Sequence, residues 1–283
     1  MWLWMTLASA VLLGIYDVFK KKALKNNGVL WVLLAATAFS TLLLAPFFSV
    51  GPAYDHLRMV LKAFLVTVSW VSGLIGLKLL PVTTASTIKA SRPFFVVIFS
   101  IVLFGERLNL WQWGGVVLAL LALTLLSGVS KKEGIDFSKS KGVAAMAISV
   151  LAGVASALYD KHVIADMEPL FIQCWCNFYV TIMLAICVLV KSLIDKENRE
   201  RFKWDWMLLL IAVFIVGADM LYFFALKQEG ALLSVISLMR RCSVVVTFVL
   251  GAIVFKESRV KAKAVDLAIL LAGMGLLLYG SSL

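Results

Sequence analysis

The chain has 283 residues, 62% of them hydrophobic, and its mean hydropathy is +0.99. A water-soluble globule of this length cannot bury so large an apolar fraction, so the composition excludes a soluble protein and indicates one that lives in a bilayer. The formal net charge of +11 lies mostly at the ends of apolar runs. There it reports orientation in a membrane, and we expect no nucleic-acid partner.

Ten apolar runs follow in chain order, each near the roughly 20 residues that a helix needs to cross hydrocarbon. They are residues 2–19, 29–50, 60–77, 82–104, 110–129, 142–162, 169–191, 206–226, 231–255 and 264–281. The first run lacks a basic leader and a small-residue cleavage site, so we expect a retained helix rather than a signal peptide. The pattern predicts an all-α integral membrane protein with ten transmembrane helices.

The second half of the chain repeats local features of the first. The matched positions are Tyr16-Asp17 with Tyr159-Asp160, Lys89 with Arg240, and Glu106 with Glu257. Each half holds five spans, and an odd number of spans puts the second copy in the opposite orientation. We therefore predict two inverted five-helix repeats, residues 1–129 and 142–283, joined by the polar linker 130–141.

Lysines and arginines concentrate in the loops that follow odd-numbered spans. They include Lys20, Lys21, Lys22, Lys131, Lys132, Lys139, Lys256 and Lys261. The positive-inside rule places these loops in the cytoplasm and both termini outside. The clustered lysines 20–22 are also able to line a vestibule, which weakens the count without reversing it. The expected location is the plasma (inner) membrane.

Cations lie at the centres of the fourth and ninth spans. They are Lys89, Arg92, Arg240 and Arg241. A helical rise of 1.5 Å per residue puts them roughly 10–15 Å from the start of their spans, near the midplane. Charges at that depth are costly and typically functional, and guanidinium groups match carboxylate or phosphate. The pattern predicts a cavity for a small anionic substrate. Either Arg240 or Arg241 can face that cavity.

Other polar side chains in or near the spans have either a structural or a functional interpretation. The acidic ones are Asp17, Asp160 and Asp219, which either neutralise the cations in structural pairs or act in proton coupling. The aromatic candidates for substrate contact are Tyr159 and Tyr222. Just beyond the fourth and ninth spans stand Glu106 and Glu257, which we expect to fix their turns by accepting hydrogen bonds.

Metal and enzyme chemistry have little support in the sequence. The chain has only two histidines, and its four cysteines all lie inside apolar runs, so we expect no metal and no cofactor. A membrane-embedded phosphatase or lipid transferase would need a nucleophile or general base beside the cations, and neither is evident. The expected partners are the substrate and membrane lipid. A monomer is sufficient to form the expected cavity, and a dimer is an alternative.

Two motifs carry a resemblance to a known family. They are Ile88-Lys89-Ala90-Ser91-Arg92-Pro93-Phe94-Phe95 and Met239-Arg240-Arg241-Cys242-Ser243-Val244-Val245. The whole chain resembles the drug/metabolite transporter superfamily of the EamA type, and the motifs are similar to its branch of plastid triose-phosphate translocators and nucleotide-sugar transporters. The resemblance implies that Lys89, Arg240 and Arg241 hold a phosphate.

Departures from that branch make the expected cavity more cationic. Arg92 stands where the translocators have Glu, and Arg240 stands where they have Lys. The first-span Glu of the four-helix multidrug members falls at Gly14, which disfavours a cation exporter.

The sequence therefore predicts an alternating-access carrier for a small organic anion, with a phosphorylated metabolite as the preferred substrate class. Transport by exchange is implied by the translocator resemblance. The alternative is an exporter of amino acids or similar zwitterions, in which one arginine binds the carboxylate and an aspartate binds the amine.

Overall fold

A computed structural model describes residues 2–92, 94–95, 99, 109–131, 134–163, 166–194, 202–226, 228, 240, 242–257 and 259–282. These residues form α-helices and one 3-10 turn, with no strand among them. The helices are α1 (Trp2–Ala23), α2 (Val29–Leu44, followed by the 3-10 turn Ala45–Phe47), α3 (Ala53–Leu79), α4 (Val82–Ala90), α5 (Leu110–Lys131), α6 (Lys141–Val163), α7 (Pro169–Ile194), α8 (Trp206–Leu226), α9 (Ser243–Phe255) and α10 (Val260–Ser282).

The all-helical membrane prediction is confirmed. Within the described residues, six helices are long and apolar enough to cross a membrane by length and composition, namely α1, α2 with its 3-10 turn, α3, α5, α6 and α7. Helices α8 and α9 contain shorter apolar stretches. The predicted runs 82–104 and 231–255 lie only partly within the described residues. Ten membrane-crossing helices therefore stay a prediction.

Local sequence explains where several helices begin. Pro81 is extended (φ −56°, ψ 145°) and directly precedes α4, where a residue without an N–H loses nothing. Asn109 and Gln112 form a reciprocal cap at α5, each side-chain oxygen accepting the other's backbone N–H at 2.9 and 3.0 Å. Asp205 accepts the backbone N–H of Met207 at 2.9 Å and so caps α8.

Helices of the two halves pack in related pairs. Helix α3 packs on α6 as α8 packs on α1, and α3 packs on α7 as α8 packs on α2. Helices α2, α4 and α5 pack on their own counterparts, α7, α9 and α10. The Ser149 hydroxyl donates to the Ser69 carbonyl between α6 and α3, and Ser9 donates to Ala218 between α1 and α8, both at 2.6 Å. Exchanging the halves maps these contacts onto one another, as expected for two five-helix repeats.

Two apolar clusters form the interior. The larger one joins helices α1 to α8, with α5 contributing Leu126, and its fully buried members include Leu33, Met59, Leu184, Leu208 and Ile211. The smaller one joins α5, α9 and α10 to the end of α4, through Ala90, Phe94, Phe248 and Leu270. Large apolar side chains on the outer faces are exposed, among them Leu120, Leu125, Leu189 and Ile253. Such exposed faces suit contact with lipid.

The linker between the halves turns on polar groups. Gly134 has φ +82°, which favours glycine, and the Ile135 N–H closes the turn on the Ser130 carbonyl at 3.0 Å. The Asp136 carboxylate accepts hydrogen bonds from the backbone N–H and hydroxyl of Ser138, which lower the pKa of Asp136 from its ordinary value. This turn delivers the chain to the start of α6.

Candidate substrate site

The predicted cations lie where helical segments stop or start. Helix α4 ends at Ala90, with Lys89 in its last turn and Ser91 in a turn conformation. Helix α9 begins at Ser243, and Arg240 lies just before it. In the sequence Pro93 disfavours a continuous helix through Arg92. The end of one helix and the start of another are places where charged side chains can face a cavity.

Lys89 forms an ion pair with Asp17 of α1. Its ammonium lies 2.7 and 3.0 Å from the two carboxylate oxygens. The Lys89 side chain is 50% exposed and the Asp17 side chain 14%, so the pair borders open space from one side. Thr247 of α9 also reaches the Asp17 carboxylate, with its hydroxyl 3.4 Å from Oδ2. Helices α1, α4 and α9 therefore meet at this pair.

Arg240 forms a second ion pair, with Asp219 of α8. Its guanidinium also lies over the ring of Tyr222, 4.5 Å from the ring centroid. The other Asp219 oxygen is 3.3 Å from the amide nitrogen of Gln173 on α7, which donates to it. Sequence reasoning proposed Asp219 and Tyr222 as separate candidates, and the structure brings both to Arg240.

Tyr16, next to Asp17 on α1, is buried near both pairs. It is 6% exposed and within Coulombic range of both Asp17 and Asp219. The ammonium of Lys20 sits over the Tyr16 ring, 4.0 Å from the centroid, and 5.4 Å from the centroid of Trp70 on α3. Sequence reasoning counted Lys20 as a loop lysine. The structure instead places it inside α1 and 8% exposed, so it carries no weight in the orientation count.

Two further candidate residues, Arg92 and Tyr159, contact other parts of the chain. Arg92 donates to the carbonyl of Gly153 on α6, and its guanidinium fills the space beside that glycine. The Tyr159 hydroxyl is 3.4 Å from the Arg58 carbonyl and donates to it. Arg58 also pairs with Asp166 at 3.2 Å, where α3 meets the α6–α7 connection. Arg241, Glu106 and the side chain of Asp160 lie outside the described residues.

Glu257 binds the other half of the chain instead of its own turn. Its carboxylate accepts the backbone N–H groups of Val82 and Thr83, the latter at 3.0 Å, and the Thr83 hydroxyl. Lys263 of α10, fully buried, donates to the same hydroxyl at 3.1 Å. Glu257 does accept backbone hydrogen bonds, as expected. The donors, however, belong to the start of α4 and not to the turn that follows α9. A carboxylate there complements the helix dipole.

Lys21 strengthens the same end of the molecule. Its ammonium donates to the carbonyls of Leu77 and Leu80, the latter at 2.7 Å, where α3 ends and leads to α4. Three chain segments are thus tied together on the side where α1, α3 and α9 end. Sequence reasoning gave Lys21 an orientation role or a place in a vestibule, because its partners are backbone atoms of another helix.

No metal centre emerges from the described part of the chain, in which no group of three or more His, Cys, Asp or Glu side chains is placed to hold an ion. The described part of the site contains two ion pairs, one within each half of the chain.

Charged pairs inside a multi-pass helical protein are typical of membrane transporters. The chain belongs to the EamA-like transporter family, whose profile matches residues 1–128 and again residues 140–279. One solved crystal structure is similar over 95% of this chain and 96% of its own length, with 14% identity and a TM-score of 0.58. That likeness supports the fold alone. No curated protein matches the chain significantly.

Proposed function

We propose that this transporter carries a small organic anion by alternating access, with a phosphorylated metabolite as its substrate class. The observation that supports this most is the pair of cations Lys89 and Arg240. They stand at matched positions of the two halves, at helix interruptions, and each is held by an aspartate of another helix. A substrate anion can take the place of either aspartate.

The charge balance favours an anion over a cation. Lys20 and Lys89 both lie within Coulombic range of Asp17, and both Asp17 oxygens bind Lys89. Among the described residues, two basic side chains therefore share one carboxylate at this point. Arg240 adds a bidentate donor that stays charged when water is excluded. Exchange is part of the proposal, because a bound anion lowers the cost of moving this charge through the membrane.

The architecture we propose for this activity is the predicted one. Ten helices cross the membrane as two inverted repeats, residues 1–129 and 142–283, with residues 130–141 as linker. The loops after odd-numbered spans face the cytoplasm and both termini lie outside the plasma (inner) membrane. Impermeant maleimide applied to whole cells tests this in a cysteine-free background: it should label Val50→Cys, at a position that is 98% exposed, and spare Lys139→Cys. The reverse pattern would invert the orientation.

An exporter of amino acids or similar zwitterions is the second candidate. The same ion pairs support it, since Asp17 or Asp219 can bind an amine once the cation turns to a carboxylate. The two candidates differ in what the aspartate does. For an anion carrier Asp219 competes with the substrate, whereas for a zwitterion exporter it is a ligand.

Thermal unfolding of the purified protein in detergent separates the candidates, because a ligand that binds only the folded state raises its stability. The probes are inorganic phosphate, 3-phosphoglycerate, malate, glutamate and leucine. We expect phosphate and 3-phosphoglycerate to stabilise the wild type, and this effect to disappear in Lys89→Gln and Arg240→Gln. Matched controls are Lys22→Gln and Arg259→Gln, at exposed positions.

Asp219→Asn gives the sharper discrimination. It removes the carboxylate that holds Arg240, so the variant should unfold at a lower temperature without ligand but gain more from phosphate than the wild type does. Stabilisation by leucine or glutamate that is lost in Asp219→Asn would support the zwitterion exporter and contradict the anion carrier.

A further inference from the structure

Among the described residues, Lys20 is a buried basic side chain near the site that the proposed function has not used as a ligand. Lys20 lies in the last two turns of α1 and is 8% exposed. The rings of Tyr16 and Trp70 enclose its ammonium from two helices, at 4.0 and 5.4 Å to the centroids. This placement brings a lysine into the interior at the level of the Lys89–Asp17 pair.

The hydrogen-bonding capacity of Lys20 is not met by its surroundings. An ammonium has three donors, and aromatic faces accept charge without accepting a directed hydrogen bond. Asp17, three residues before it, gives both carboxylate oxygens to Lys89. Among the described residues the contacts of the Lys20 ammonium are therefore the two rings. A buried ammonium is costly, and it either loses its proton or gains an anionic ligand.

The two ion pairs lie at different depths along α1. The Ser9–Ala218 hydrogen bond sets the start of α1 level with the part of α8 that carries Asp219. Asp17 lies about 12 Å further along α1 at a rise of 1.5 Å per residue. Tyr16 is within Coulombic range of both carboxylates, so long lysine and arginine side chains can converge beside its ring from either end.

We propose that Lys20 is a substrate ligand that forms, with Lys89, a second anionic subsite. The carried molecule then has two anionic groups, one bound by Arg240 and one bound by Lys20 and Lys89. The first group displaces Asp219 and the second displaces Asp17. This inference rests on the proposed function and narrows its substrate class to a small phosphorylated acid or a similar dianion with separated charges.

The test compares two probes that differ in one anionic group. 3-Phosphoglycerate has a phosphate and a carboxylate, and glycerol 3-phosphate has the phosphate alone on a chain of the same length. The dissociation constants of both are measured by titration calorimetry for the wild type, Lys20→Met, Lys20→Gln and Lys20→Arg. Lys22→Met, at an exposed position two residues further along α1, is the matched control.

The wild type and Lys22→Met should bind 3-phosphoglycerate roughly 10-fold more tightly than glycerol 3-phosphate, the effect of one further charge-assisted contact. Lys20→Met and Lys20→Gln should lose this preference and keep the affinity for glycerol 3-phosphate. Lys20→Arg replaces a compact ammonium by a planar guanidinium and should change the ratio of the two dissociation constants. This variant tests the role of Lys20 if the neutral variants do not fold.

Three results would overturn the inference. The first is a wild type that binds the two probes equally tightly. The second is a ratio of dissociation constants that is the same in all Lys20 variants as in the wild type. The third is a loss of affinity in the Lys20 variants that is equal for both probes. If the wild type binds neither probe, the proposed function itself fails and takes this inference with it. If the wild type binds both and the Lys20 variants behave like it, only the role of Lys20 is rejected.

Discussion

The contact of Glu257 with the start of α4 makes a stability prediction that can be worked out in numbers. Its carboxylate accepts two backbone N–H groups and one hydroxyl, all belonging to Val82 and Thr83, which are fully buried. Hydrogen bonds to a charged group contribute about 1.5–3 kcal/mol each, and they are not additive on one carboxylate. A carboxylate at a helix start adds about 0.3–1 kcal/mol through the dipole.

Glu257→Ala should therefore lower the free energy of unfolding by about 3–4 kcal/mol, because it leaves buried N–H groups without an acceptor. For a chain of this size that is a fall of roughly 6–12 °C in the unfolding temperature. Glu257→Gln retains one acceptor oxygen, so its unfolding temperature should fall by about half as much. The assay is thermal unfolding of the purified protein in one detergent, followed by intrinsic fluorescence.

The matched control is Glu168→Gln, at an exposed position before α7, which should change the unfolding temperature by no more than about 2 °C. Thr83→Val removes the hydroxyl that Glu257 and Lys263 share, and it should destabilise the wild type more than it destabilises Glu257→Ala. If Glu257→Ala unfolds within about 2 °C of the wild type, or no further below it than Glu168→Gln, the contact does not hold α4 and this reasoning is refuted.

Further predictions concern positions where a side chain meets limited space. Gly153→Ala puts a Cβ 2.5 Å from the guanidinium carbon of Arg92, a flexible end that can swing away, so stability should hold or rise by about 1 kcal/mol while phosphate-induced stabilisation falls. Gly14→Ala puts a Cβ 2.4 Å from the Cβ of Val246, which cannot move without its backbone, and should cost about 1–3 kcal/mol. Lys256→Gly relieves a left-handed residue (φ 48°) after α9 and should raise the unfolding temperature by about 2–4 °C. Thermal unfolding with and without phosphate checks all three. A Gly153→Ala variant less stable than Gly14→Ala, or a Lys256→Gly variant less stable than the wild type, would contradict them.

The fold class and the places of the helices could be predicted from the sequence because hydrocarbon imposes one length and one polarity on every span. Each predicted run overlaps an observed helix, and the repeat match of Lys89 with Arg240 agrees with the packing of α4 on α9. The helix bounds differ most at α3, which begins at Ala53, seven residues before the predicted residue 60. Helix α1 also continues to Ala23, four residues beyond the predicted residue 19. That extension carries Lys20 inward.

The partners within the site could not be predicted, because they depend on which helices lie side by side. The sequence offered Asp17 and Asp219 as counter-charges without saying that Lys89 takes the first and Arg240 the second. It gave no reason to place Trp70 of α3 over Lys20 of α1. The i,i+3 spacing of Asp17 and Lys20 was the available signal, and a local helix pair explained it equally well.

The same limit applies to Glu257. A glutamate just after a span predicts a hydrogen-bonded turn, and the sequence cannot reveal an acceptor role that spans 175 residues to Val82. Long-range polar contacts of this kind follow from the packing of α9 on α4, which no local pattern encodes.

The central claim is that Lys89 and Arg240 bind a substrate anion during transport. Exchange in liposomes tests it most directly: vesicles with the purified protein are loaded with unlabelled 3-phosphoglycerate or with buffer, and the uptake of labelled phosphate is followed. We predict uptake that depends on the internal anion, persists in Lys22→Gln and is lost in Lys89→Gln and Arg240→Gln. Uptake that is unchanged in both of these variants, or uptake of leucine without any of phosphate, would contradict the account.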